Sequence, residues 1–153
     1  MRGAGVSGAG ITRLGPATTG YRCVLSKSSA QLKALGAIAT KTYSFGPFPA
    51  GCYLLGGYLE IPTAFDVGLN PTIAIGTSSD PLCCVDATLA ATVSPTSFNY
   101  VPALGGINPS ANVSGDTVTV TVAVTPGNFT SFTTGNFNAV ILVSAPMQTV
   151  AVS

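Results

Sequence analysis

An all-β fold is predicted by three features of this chain. From Tyr21 onward, short apolar runs alternate with Gly, Pro, Asn and Asp, which punctuate strands. Within residues 117–125, Val118, Val120, Val122 and Val124 alternate with Thr117, Thr119, Thr121, Ala123 and Thr125, a period of two that puts every valine on one face. Only residues 28–36 have the composition of a helix: Ser28 to cap it, Ala30, Leu32 and Leu35 as an apolar stripe, and Gly36 to end it.

The elements follow in order. Residues 1–20 hold six glycines and a proline with no sustained periodicity, so they are expected to form a flexible arm. That arm carries Val6, Ile11 and Leu14 as apolar contacts and Arg2 and Arg13 as charge anchors, residues that a neighbouring surface would order. Residues 21–153 form the sandwich domain. Its strands are predicted at 21–25, 37–45, 52–61, 72–75, 82–93, 98–101, 117–125, 137–145 and 149–152, with turns at Gly46-Pro47, residues 49–51, 68–71, 76–81, 105–106, 114–116 and 126–128. The valine–threonine strand reads as half-buried. Residues 137–145 are more continuously apolar, as expected of a strand covered on both faces, by its own core and by a sister subunit. About eight strands in two face-packed sheets give a jelly-roll-like β-sandwich with an extended N-terminal arm.

Charge is scarce and segregated. Charged residues make up 7% of the chain, against about 25% in an ordinary soluble domain, while 46% are apolar, so repulsion between copies is weak. All six basic residues lie before residue 42 and all five acidic residues after residue 59, which reads as a head-to-tail contact kit and hence as a component of an assembly. The basic residues are too diffuse for a nucleic-acid-coating arm. No run reaches the roughly 18 apolar residues of a membrane helix, and the start of the chain lacks the apolar core of a signal peptide, so synthesis in a cytoplasm is expected.

Residues that carry chemistry are few. With no histidine, the usual base of a Ser or Cys nucleophile is absent, and no catalytic residue, cofactor or metal site is predicted. Glu60, Asp66, Asp80 and Asp86 invite a glycosidase reading, but Asp66, Asp80 and Asp116 sit in or beside turns, where aspartate commonly accepts backbone hydrogen bonds; this reading is preferred to catalysis or calcium binding. Cys23, Cys52, Cys83 and Cys84 show no C-x-x-C spacing and are read as small apolar residues, and Asn112 and Asn128 as turn residues rather than glycosylation acceptors. Tyr43, Phe45, Phe48, Tyr53 and Tyr58 suggest a sugar-stacking platform, with core and interface packing the preferred reading.

Residues 49–81, from Pro49-Ala50-Gly51 through Ala64-Phe65-Asp66 and Pro71-Thr72 to Gly76-Thr77-Ser78-Ser79-Asp80-Pro81, resemble a pattern in small β-sandwich proteins of tailed-bacteriophage virions. In those proteins a PAG turn leads into an apolar strand, an AFD-G turn and a PT-x-x-x-G-x-S-x-D strand and loop. The chain departs at Asp80-Pro-Leu-Cys-Cys-Val85, where such sequences are more polar. The resemblance implies a capsid decoration, or cement, protein: a jelly-roll homotrimer on the outer capsid surface, bound to the major capsid protein without contacting nucleic acid or membrane. Arg2, Val6, Ile11, Arg13 and Leu14 would then be its capsid or subunit contacts. The alternative is a head or tail fibre module recognising host glycan.

Overall fold

A computed structural model describes residues 9–13, 20–92, 94–99 and 116–145. Among them are nine strands, β1 (Ala9–Arg13), β2 (Tyr21–Ser28), β3 (Thr40–Phe45), β4 (Leu54–Thr63), β5 (Thr72–Thr77), β6 (Val85–Leu89), β7 (Ser94–Asn99), β8 (Val118–Ala123) and β9 (Asn136–Val143), and one α-helix, α1 (Ser29–Lys33). They build two antiparallel sheets, ordered β1-β2-β9-β4-β7 and β3-β8-β5-β6. Apart from β1, successive strands change sheet at every step except β5 to β6. The resulting layers, β2-β9-β4-β7 over β3-β8-β5-β6, are those of a jelly roll, the predicted all-β sandwich.

The alternating pattern explains the core. Val118, Val120, Val122 and Val124 are all buried, and across the sandwich they meet Cys23, Leu25, Leu59, Phe137, Ala139 and Ile141. On β9 the inward residues are fully buried, and Val140 on the opposite face is also buried while Asn138 and Leu142 are half-buried. Phe65, Phe129, Phe132 and Phe137 close the end of the core, with ring centroids 5.2 to 6.4 Å apart. Gly135 lies against this cluster at φ +117°; a Cβ there would come within 2.4 Å of the Phe65 ring.

Several expected boundaries shift for identifiable reasons. Ser28 does cap α1: its hydroxyl accepts the Gln31 N–H, and Gln31 Oε1 accepts the Ser28 N–H at 2.9 Å. The helix nevertheless ends at Lys33, because Leu35 and Gly36 turn into i→i−3 bonds to Leu32 and Lys33. Of the predicted stripe only Leu32 is buried; Ala30 and Leu35 are exposed. The strand predicted at 82–93 is interrupted after Leu89, where Ala90 N–H bonds Pro71 O and Ala90 O accepts from Phe65 N–H as the chain leaves one sheet for the other. The next strand starts at Ser94 rather than 98, and its Pro95 is tolerated because β7 is an edge strand. Residues 149–152, predicted as a strand, lie outside the described residues.

Candidate interaction surface

The two sheets share lateral edges. On one side β2, itself flanked by the outermost strand β1, lies over β3: Tyr21 packs edge-on against Phe48 at 5.4 Å, and Lys27 Nζ sits 5.2 Å from the centroid of the Tyr43 ring. On the other side are β6 and β7, the outermost strands of their sheets. Arg22 and Lys27 lie on β2, Lys33 on α1 and Lys41 on β3; of the acidic residues Asp86 lies on the outermost strand β6, Asp80 in the β5–β6 loop over Gly76, Asp116 where its carbonyl accepts from the Phe48 N–H, and Glu60 on β4 opposite Asn138.

The basic side is short of acceptors. Lys41 Nζ also approaches the Tyr43 ring, 5.5 Å from its centroid, so two ammonium groups contact one aromatic ring. Burial pushes the Tyr43 hydroxyl above its ordinary pKa. Among the described residues, none of Arg22, Lys27, Lys33 and Lys41 has a carboxylate at ion-pair distance. Beside Lys27 is a hollow of about 170 Å³, lined by residues 26–28, Gln31 and residues 136–138. The Gln31 and Asn136 carbonyl oxygens are occupied by the N–H groups of Ser28 and Thr63, each at 2.9 Å, which leaves both carboxamide NH2 groups as donors. The hollow therefore offers a cation and spare N–H donors.

The turn aspartates behave as expected from the sequence at two of three positions. The Asp66 carboxylate accepts from the Thr133 hydroxyl and from the backbone N–H groups of Thr133 (2.9 Å) and Thr134 (3.3 Å). Asp116 accepts from the hydroxyls of Ser78 and Ser79 and from the Thr117 N–H at 2.7 Å. In each case desolvation pushes the carboxyl pKa up, and the hydrogen bonds outweigh it, leaving the pKa below the ordinary value. These two carboxylates tie loops together. At Asp80 the turn is held instead by its backbone, whose N–H bonds Thr77 Oγ1 at 3.1 Å. Glu60 accepts from Asn138 Nδ2 at 3.3 Å.

Cys23 and Cys52 are buried, and burial pushes the Cys23 thiol up to about 12. Cys83 and Cys84 are half-buried, with sulfurs 3.5 Å apart; the thiol hydrogen bond between them lowers the Cys83 pKa and raises that of Cys84. Among the described residues no group of three or more His, Cys, Asp or Glu side chains could hold a metal. The aromatic residues of 43–58 form no common platform, because Phe45 and Phe48 are buried in the core and Tyr58 stands on the outer face of the other sheet. Asn128 caps a 3-10 turn by accepting the Thr130 N–H, as a turn residue should.

Of the predicted contact residues, Arg2, Val6 and Leu14 lie outside the described residues. Ile11 and Arg13 lie on β1, registered opposite Cys23 and Tyr21 of β2. The hollow beside Lys27 was not foreseen, because it joins residues more than a hundred positions apart in the sequence.

The strand order defines a jelly-roll β-sandwich with one added edge strand. A chain of the solved structure titled "Cyanophage Pam1 capsid asymmetric unit" shares this fold, with a TM-score of 0.51 and 17% sequence identity over 95% of this chain and 93% of that one. No protein-family model matches the sequence, and no curated protein matches it.

Proposed function

We propose that this protein is a noncatalytic structural component of a bacteriophage head, which self-associates and decorates the outer capsid surface by binding the major capsid protein. The observation that carries this reading is the likeness of fold, over nearly the full length of both chains, to a chain of a cyanophage capsid asymmetric unit. Scarce charge supports the assembly part, since copies of a chain with 7% charged residues repel one another weakly. Contacts made only in the mature shell would stabilise that shell, as any ligand stabilises the state it binds. In this reading Val6, Ile11 and Leu14 supply apolar contacts, Arg2 and Arg13 pair with acidic groups of the capsid or the next subunit, and the oligomer is a trimer. The glycan-binding alternative loses support from the dispersal of its aromatic residues.

The test is electron microscopy of heads from the virus that encodes the chain, combined with binding of purified protein to heads that lack it. Density for jelly-roll subunits outside the shell and saturable binding are expected. Deleting residues 2–8, which leaves β1 in place, should keep the fold and reduce occupancy. Heads that contain no copy of the chain by mass spectrometry would refute the proposal.

A further inference from the structure

We infer that the adjacent thiols of Cys83 and Cys84 form a reactive dithiol site, which a small-molecule disulfide oxidises reversibly to a disulfide between the two neighbours. This goes beyond the structural role proposed above and does not depend on it. The local fold brings the two sulfurs together. In a strand over residues 82–93, as the sequence suggests, successive side chains would point to opposite faces. Instead β6 begins at Val85, and residues 81–84 turn and bend between β5 and β6, with the Cys83 N–H bonded to Asp80 O at 3.3 Å and the Cys84 N–H to Ile75 O at 3.1 Å. The Sγ atoms consequently lie 3.5 Å apart, about 1.5 Å beyond a disulfide bond length. Both residues are half-buried, whereas Cys23 and Cys52 are sealed in the core.

The hydrogen bond between the thiols assigns their roles. Donated by Cys84, it favours the thiolate of Cys83 and lowers its pKa, against burial and the Asp80 charge, which raise it; the same bond, with burial, raises the pKa of Cys84. The Cys83 thiolate attacks one sulfur of the reagent, forming a mixed disulfide and expelling one thiolate. Cys84 then gives its proton to water and its sulfur attacks the Cys83 sulfur; the new S–S bond expels the second thiolate. The two protein thiols lose two electrons, and the reagent gains them as it becomes two thiols. The product closes the smallest loop a chain allows, so it adds little by restricting the unfolded state. It is also strained, because adjacent Cα atoms across a trans peptide are about 3.8 Å apart, short of the roughly 4.4–6.8 Å usual for a disulfide, and strain makes the bond easier to reduce. The pair suits reversible oxidation rather than stapling of the fold.

The test treats the purified, fully reduced native chain with dithiobis(nitrobenzoate), an aromatic disulfide whose released thiolate is coloured. Two leaving groups should be released per chain with none retained, and the intact mass should fall by two hydrogen atoms. Cleavage on the amino side of aspartate isolates residues 80–85, which hold Cys83 and Cys84 and no other cysteine, and that peptide should carry the bond. Dithiothreitol should restore the dithiol. C84S should trap one leaving group on Cys83, and C83S should react on the order of 10-fold more slowly than C84S, with circular dichroism confirming that both variants are folded. No release from the native wild type, a leaving group retained on it, a disulfide that joins two chains or includes Cys23 or Cys52, or a C83S variant as fast as C84S would each overturn the inference. None of these results bears on the capsid proposal, which microscopy of the heads decides separately.

Discussion

Replacing Thr119 by valine should make the fold more stable. Thr119 is 5% exposed, and its Oγ1 has no hydrogen-bond partner among the described residues. It stands on the outer face of the second sheet between Ser44 of β3 and Gly76 of β5. Gly76 lies under the β5–β6 loop so closely that a Cβ would come within 2.3 Å of Asp80 O, and this loop shuts water away from that part of the face. A buried hydroxyl without a partner costs about 1–3 kcal/mol, whereas valine has nearly the same shape and the same β-branch. Taking the lower end of that range, because the site lies close to the surface, T119V should gain about 1 kcal/mol and raise the melting temperature by about 2–4 °C. T119S keeps the hydroxyl and loses the methyl group, so it should lie below wild type. Thermal and urea unfolding followed by circular dichroism would rank the three proteins as valine, threonine, serine. A valine variant no more stable than wild type would refute the argument by showing that the hydroxyl is satisfied.

Two other predictions concern the core and the loop ties. F132A removes a ring that is 1% exposed and packs on Phe65 and Phe129 at 5.2 and 5.4 Å, so it should cost about 4 kcal/mol and lower the urea midpoint by about 2 M, with F132L much milder. Because Asp66 and Asp116 titrate lower in the folded chain than in the unfolded one, their contribution is present above the unfolded carboxyl value of about 3.9 and is lost as pH falls through the folded pKa. Melting temperature should therefore drop on acidification below about pH 4, and the D66N/D116N double variant should show a shallower drop; an identical slope would assign the acid sensitivity to other groups.

How far the fold could be read depended on the range of the signal. The valines of β8 declare their inward face by local alternation alone, and the Ser28 cap needed only the four residues it spans. Asp66 and Asp116 announced themselves as turn residues through their Gly, Ser and Asn neighbours, although the partners on Thr133 and Ser78 were not foreseen. Phe129 and Phe132 are buried in and beside a 3-10 turn, where no strand or helix periodicity marks them. Thr77 is fully buried although Gly76 reads as the start of a turn, because β5 continues beneath the loop that covers it. The charge segregation visible in the sequence does not carry over into space, because Asp116 comes to lie beside Phe48 and Glu60 beside Asn138, contacts between residues far apart in the chain.

The position of β9 also governs when the protein can fold. It is the last described strand in the chain, yet it separates β2 from β4, so the two halves of the sheet, β1-β2 and β4-β7, cannot join until residues 136–143 have been made. On the ribosome the first sheet must wait as two separate pairs, each with one long edge open, and long-range pairing of this kind is intrinsically slow and open to aggregation. A nascent chain that stalls before Asn136 has no route to the finished layer, which makes emergence of β9 the event that lets the two halves close on one another.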